Sequence, residues 1–153
     1  MLLVLLGSLV WVRETPAAEP AVTGRVVKVL PLLLNLQGHD ALSPSLFDRD
    51  AYQKYLRDHT NEVSAVRYDV LWKGTGAAAT NLTVRLELRA VAADGRPVLT
   101  NLETNAPPTG YFGRWISFNL AGDDYKNIGT VVAWRATVWS GDRRLGAQQS
   151  FLW

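Results

Sequence analysis

The chain has 153 residues, 48% hydrophobic and 20% charged, with 12 glycines and 7 prolines. This is the composition of a globular fold, and it excludes collagen, low-complexity polymers and disordered tails. Sixteen Lys and Arg against fourteen Asp and Glu leave a formal charge of +2, and cysteine is absent, which removes thiol nucleophiles, disulfides, thiolate zinc sites and a lipidated-Cys anchor.

The charges alternate in sign, as in Arg85-Leu86-Glu87-Leu88-Arg89 and Asp48-Arg49-Asp50. Nucleic-acid binding needs a basic stripe to displace phosphate counterions, so it is disfavoured.

Leu2 to Val12 is an apolar run broken by Gly7 and Ser8, followed by Arg13, Glu14 and the small residues Ala17 and Ala18. A membrane span needs about 20 apolar residues, and this run is shorter. It reads as a signal-peptide core with cleavage near Ala17 or Ala18, although no Lys or Arg precedes it. The expected organisation is a signal peptide over 1–18, a Pro/Ala spacer over 19–24 and one β domain over 25–153. The mature chain is then exported, periplasmic or extracellular, without a transmembrane span.

Arg25 to Leu36 is rich in Val and Leu and forms a first strand, with Pro31 placing it at a sheet edge or a bulge. Ser45-Leu46-Phe47-Asp48 fits a capping box with Asp in place of Glu. It opens a helix over about 45–58, whose apolar stripe is predicted as Phe47, Ala51 and Tyr55 with Tyr52 and Leu56 beside them.

Beyond Val63 the period becomes two. Val66, Tyr68, Val70 and Trp72 share one face, and Leu82, Val84, Leu86, Leu88 and Ala90 alternate with Thr83, Arg85, Glu87 and Arg89. Asp94-Gly95 marks a hairpin into Val98 to Thr104. A two-residue turn would oppose Leu88 to Asn101, which points instead to a longer loop or a bulge.

Phe112, Ile116, Phe118 and Leu120 form the inward face of the next strand, with Arg114 an exception, and Ala121 to Gly129 is a polar connection. Val132, Trp134, Ala136 and Val138 point inward on the following strand. Pairing Trp139 with Arg144 sets these four opposite Leu145, Ala147, Gln149 and Phe151.

About seven strands with one short helix after the first make a mainly β, antiparallel β-sandwich. Over residues 63 to 153 the chain resembles the immunoglobulin and fibronectin type III superfold. Tyr125, ahead of the strand Val131 to Trp139, resembles a tyrosine corner, but there is no inter-sheet cysteine pair and Trp72 falls on the second strand of the chain. The chain is also similar to small exported bacterial β-proteins of unknown function. Neither resemblance carries a chemistry of its own.

Catalytic patterns are poorly represented. Gly74-Thr75-Gly76-Ala77-Ala78-Ala79 mimics a dinucleotide fingerprint, but a strand starts at Leu82 and leaves no room for the helix that fingerprint requires. His39 and His59 flank the helix near Asp40, Asp48, Asp50 and Asp58 without any metal-binding spacing, and no Gly-x-Ser-x-Gly elbow occurs. Asn81-Leu82-Thr83 is a chance sequon. The C-terminal Phe151-Leu152-Trp153 resembles the aromatic end of an outer-membrane barrel, but the capped helix and the odd strand count favour a sandwich.

The expectation is a binding or structural module without catalysis, cofactor or metal, whose partner is a protein or an envelope polysaccharide. Alternation points Trp115 and Trp139 outward, with Tyr111, Ser117, Asn119, Arg135, Thr137 and Arg144 about them. Exposed indoles beside amide and guanidinium donors suit sugar or peptide stacking. The predicted binding residues are therefore Trp115, Asn119, Arg135, Trp139 and Arg144, and the alternative function is carbohydrate binding through the two indoles.

Overall fold

A computed structural model describes residues 21–75, 82–106, 109 and 112–153. The elements follow in the order β1 (Thr23–Asn35), α1 (Leu46–Asp58), β2 (Val63–Thr75), β3 (Leu82–Val91), β4 (Pro97–Ala106), β5 (Arg114–Ala121), α2 (Gly122–Ile128), β6 (Thr130–Ser140) and β7 (Arg143–Gln149). The signal-peptide reading, the segment Gly76 to Ala79, Asn81 and Tyr111 lie outside the described residues.

The strands form two antiparallel sheets, β1-β2-β5 and β4-β3-β6-β7. Strands β1, β2 and β5 take the places of A, B and E, while β3, β6 and β7 take those of C, F and G, with β4 added beside C. This is an immunoglobulin-like sandwich. Its core lies where the alternation put it. Val66, Tyr68, Val70 and Trp72 of β2 face Leu82, Val84, Leu86, Leu88 and Ala90 of β3, joined by Phe118, Leu120, Ala136 and Val138, all buried. The hairpin after β3 uses a five-residue loop, closed by Ala92 N–H to Arg96 O at 2.9 Å, and pairs Leu88 with Thr100.

Helix α1 starts as expected, with Ser45 Oγ accepting from Asp48 N–H at 3.3 Å. Its buried face is different. Gln53 and Leu56 are buried and Arg49 and Tyr52 half-buried, whereas Phe47 is 81% exposed and Tyr55 39%. The reason is that α1 docks on the edge of β1 and not on an apolar sheet face. Gln53 Oε1 accepts from Leu33 N–H at 2.8 Å, and its Nε2 donates to Leu33 O at 2.8 Å and Asp40 O at 2.9 Å. The side-chain amide thus stands in for a neighbouring strand and closes an edge that Pro31 already interrupts. Asn35 ends β1, its Oδ1 accepting from Gln37 N–H and His39 N–H at 2.9 Å each.

Further corrections share one cause, departures from strict alternation. Between Arg89↔Ala133 and Ala90↔Val131 the register slips, so Val132 bulges out, 45% exposed, and Val131 packs inward in its place. Trp139 does pair with Arg144, but a second slip then sets Val138 opposite Gly146 and Ala136 opposite Gln148. Phe112 precedes β5 and is 82% exposed. The polar connection after β5 is α2, entered through Gly122 at φ 58°. Tyr125 lies on α2 and packs on the core, where burial lifts its hydroxyl pKa, and it makes no tyrosine-corner hydrogen bond among the described residues.

The two sides of the sandwich differ. On one side β1 presses on β7, where a Cβ at Gly146 would stand 2.6 Å from Gly24 O, and Arg143 donates to Val22 O at 3.0 Å. On the other side β4 and β5 are separated by two open grooves of about 290 Å³ each.

Candidate binding surfaces

The outer face of the four-stranded sheet is occupied by its own side chains. Arg135 clasps Glu87 through two hydrogen bonds, Nε to Oε2 at 2.6 Å and a terminal nitrogen to Oε1 at 2.7 Å. That hydrogen bond holds the Glu87 carboxyl below its usual range, with the charges of Arg135, Arg85 and Arg89 adding to it. The C-terminal Trp153 folds back under two guanidinium groups, Arg89 at 4.1 Å and Arg135 at 4.6 Å from its ring centre. Trp139 lies beneath Arg85 at 5.1 Å, and its indole N–H donates to Thr137 Oγ1 at 2.8 Å. Arg144 is exposed opposite Trp139. Arg135 and Trp139 are therefore engaged internally.

Trp115 and Asn119 stand on the outer face of the other sheet. Trp115 pairs with Leu71 and is 50% exposed, and Asn119 pairs with Arg67. Ser117 lies between them and donates to Asp69 Oδ1 at 2.6 Å, while Arg67 pairs with Asp69 at 3.1 Å and Asp40 at 3.3 Å. The predicted site residues thus fall into two groups on opposite faces, and the two indoles cannot stack on one ligand.

The feature hidden from sequence reading is the backbone of β5. Leu33 turns its N–H and C=O away from β2 toward Gln53, so Leu33↔Val66 is a non-hydrogen-bonded pair and Val66 faces β5. Antiparallel alternation carries the same direction to Tyr68, Val70, Trp72 and Gly74. Gly74 agrees, donating to Thr109 Oγ1 at 2.9 Å and accepting from Thr109 N–H at 3.1 Å. Arg114, Ile116, Phe118 and Leu120 therefore bond back to β2, and Trp115, Ser117 and Asn119 aim their backbone N–H and C=O groups out of the open edge.

Native proteins blunt their sheet edges with charge, proline, bulges or covering elements. Here β1 carries Pro31 and is covered by Gln53, β7 lies against Gly24, and β4 has Pro97 and Glu103. Strand β5 has no proline, no glycine, no acid and no register shift, and its one charged residue is Arg114 at the end. Among the described residues it is the undefended edge, flanked by the grooves and by Trp115.

Among the described residues, no group of three or more His, Asp or Glu is placed to hold a metal ion. His39 and His59 are both exposed, and His59 stacks on Tyr55 at 4.0 Å between ring centres. No helix among the described residues is long and apolar enough to cross a membrane.

No protein-family model and no curated protein matches the chain. Among solved structures, an immunoglobulin-like protein from Pseudomonas aeruginosa is similar to it, with 16% identity over 87% of this chain and 97% of that chain and a TM-score of 0.40. The fold class stands on the strand order and the packed inner faces.

Proposed function

We propose that this protein is an exported, non-catalytic binding module that takes an extended segment of a partner protein onto the free edge of β5. The observation that carries this reading is the undefended row of backbone groups at Trp115, Ser117 and Asn119. Strand addition draws its affinity from such main-chain groups and its specificity from alternate side chains. Trp115 supplies the second element as a half-exposed indole on the same strand. Export is supported by the apolar run Leu2 to Val12. Polysaccharide is the weaker partner, because Trp139 is engaged by Arg85 and Thr137 and shares no face with Trp115.

Ser117→Pro tests the reading, because it deletes an outward N–H while leaving the β2–β5 ladder intact. Immobilised wild type, Ser117→Pro and Trp115→Ala are compared for retention of envelope proteins and of polysaccharides. The expected result is a protein partner bound about tenfold more weakly by each variant, with unchanged circular dichroism. Polysaccharide retention that survives Ser117→Pro and disappears with Trp115→Ala would reject strand addition.

A further inference from the structure

Strand β1 touches β7 at Gly24 but diverges from β6 toward its other end. The gap opens into a wedge of about 460 Å³ between the sheets, walled by α1 and α2, which is within the range of small-molecule sites. Pro31, Leu33, Val66 and Val131 make its sides apolar. Tyr68, 3% exposed, lines it, and its hydroxyl makes no hydrogen bond among the described residues. Burial pushes the Tyr68 pKa up to about 12, so the phenol remains a proton donor throughout the physiological range. A ligand acceptor in the wedge can take this O–H, exchanging a hydrogen bond to water for one to the ligand.

The mouth has a definite sign. Arg57 lies there, exposed and in no salt bridge among the described residues, while the adjacent Asp58 is bonded to Lys54 at 2.7 Å. Among the described residues the lining contains neither Asp nor Glu. Gln53 is already committed to Leu33 and Asp40, so it takes no part in binding.

We propose that this wedge binds a small amphipathic carboxylate, its acid at Arg57, its apolar body between the sheets and a hydroxyl or carbonyl acceptor at Tyr68. The wedge opens beside β1, on the side of the sandwich away from β5, and does not depend on the strand-addition reading.

The test is a nuclear magnetic resonance titration of the full chain with ω-hydroxydecanoate, below its micelle concentration, with decanoate and the methyl ester of the hydroxy acid as comparisons. Saturable shifts are expected at Tyr68, Thr130 and Val131. Arg57→Gln should weaken ω-hydroxydecanoate about tenfold and leave the ester unchanged. Tyr68→Phe should weaken ω-hydroxydecanoate about fivefold and leave decanoate unchanged. Shifts scattered over exposed apolar residues such as Phe151 and Leu152, or equal affinity in wild type and Arg57→Gln, would overturn the proposal.

Discussion

Trp72→Ala should cost about 3–5 kcal/mol of stability, the range for truncating a fully buried large aromatic residue. Trp72 is 0% exposed toward the C-terminal end of β2, packed between the sheets with Val70, Leu82 and Val84 in one core cluster. Alanine leaves a cavity that the surrounding strands cannot collapse into, because β2 is held on both sides by β1 and β5. Trp72→Phe is the informative companion. The indole N–H has no hydrogen-bond partner among the described residues, so phenylalanine loses ring volume but no polar contact. Its cost should be less than half that of alanine. Thermal unfolding of the two variants checks this, and equal damage from both would mean that the N–H is bonded after all.

Gly129→Ala should be nearly as harmful, although it adds one methyl group. Gly129 joins α2 to β6 at φ 76° and ψ −145°, a region essentially confined to glycine. A Cβ there would also meet Val91 O and lie 2.7 Å from Ala92 Cα, both backbone atoms that cannot swing aside. Strain of about 1–3 kcal/mol is expected, with the steric overlap in addition. Gly95→Ala provides the contrast. Gly95 has a similar φ of 84°, but nothing lies within 4 Å of its missing Cβ, so its variant should carry the strain alone. Denaturant titration of the pair separates the two effects, and equal losses would contradict the close packing of α2–β6 against the end of β3.

The sandwich was legible wherever one residue meant one face. Strands β2 and β3 alternate without interruption, and each inward residue read from Val66 to Trp72 and from Leu82 to Ala90 is buried. The reading lost its register at Val132 and Leu145, where a bulge exchanges the faces. Gly146 was the available signal, since a glycine within a strand marks a bulge or a close backbone approach. Helix α1 was found from its cap, but its stripe was misread because the helix satisfies a strand edge with Gln53 instead of burying Phe47.

The proposed binding surface was half legible. Outward alternation found Trp115, but it could not show that Arg85, on a neighbouring strand, covers Trp139. Nor could it show that β5 is an edge. That follows from sheet order, a property of the whole chain, and the direction of each β5 amide is set by its register with β2, a strand far away in sequence.

Residue-resolved amide hydrogen exchange on the purified wild-type protein addresses the free edge of β5 without any partner in hand. The expected pattern alternates: Ile116, Phe118 and Leu120 protected by β2, with Trp115, Ser117 and Asn119 exchanging at least about a hundredfold faster. Uniform protection along all of these residues would mean that the edge is already covered, and strand addition at β5 would be refuted.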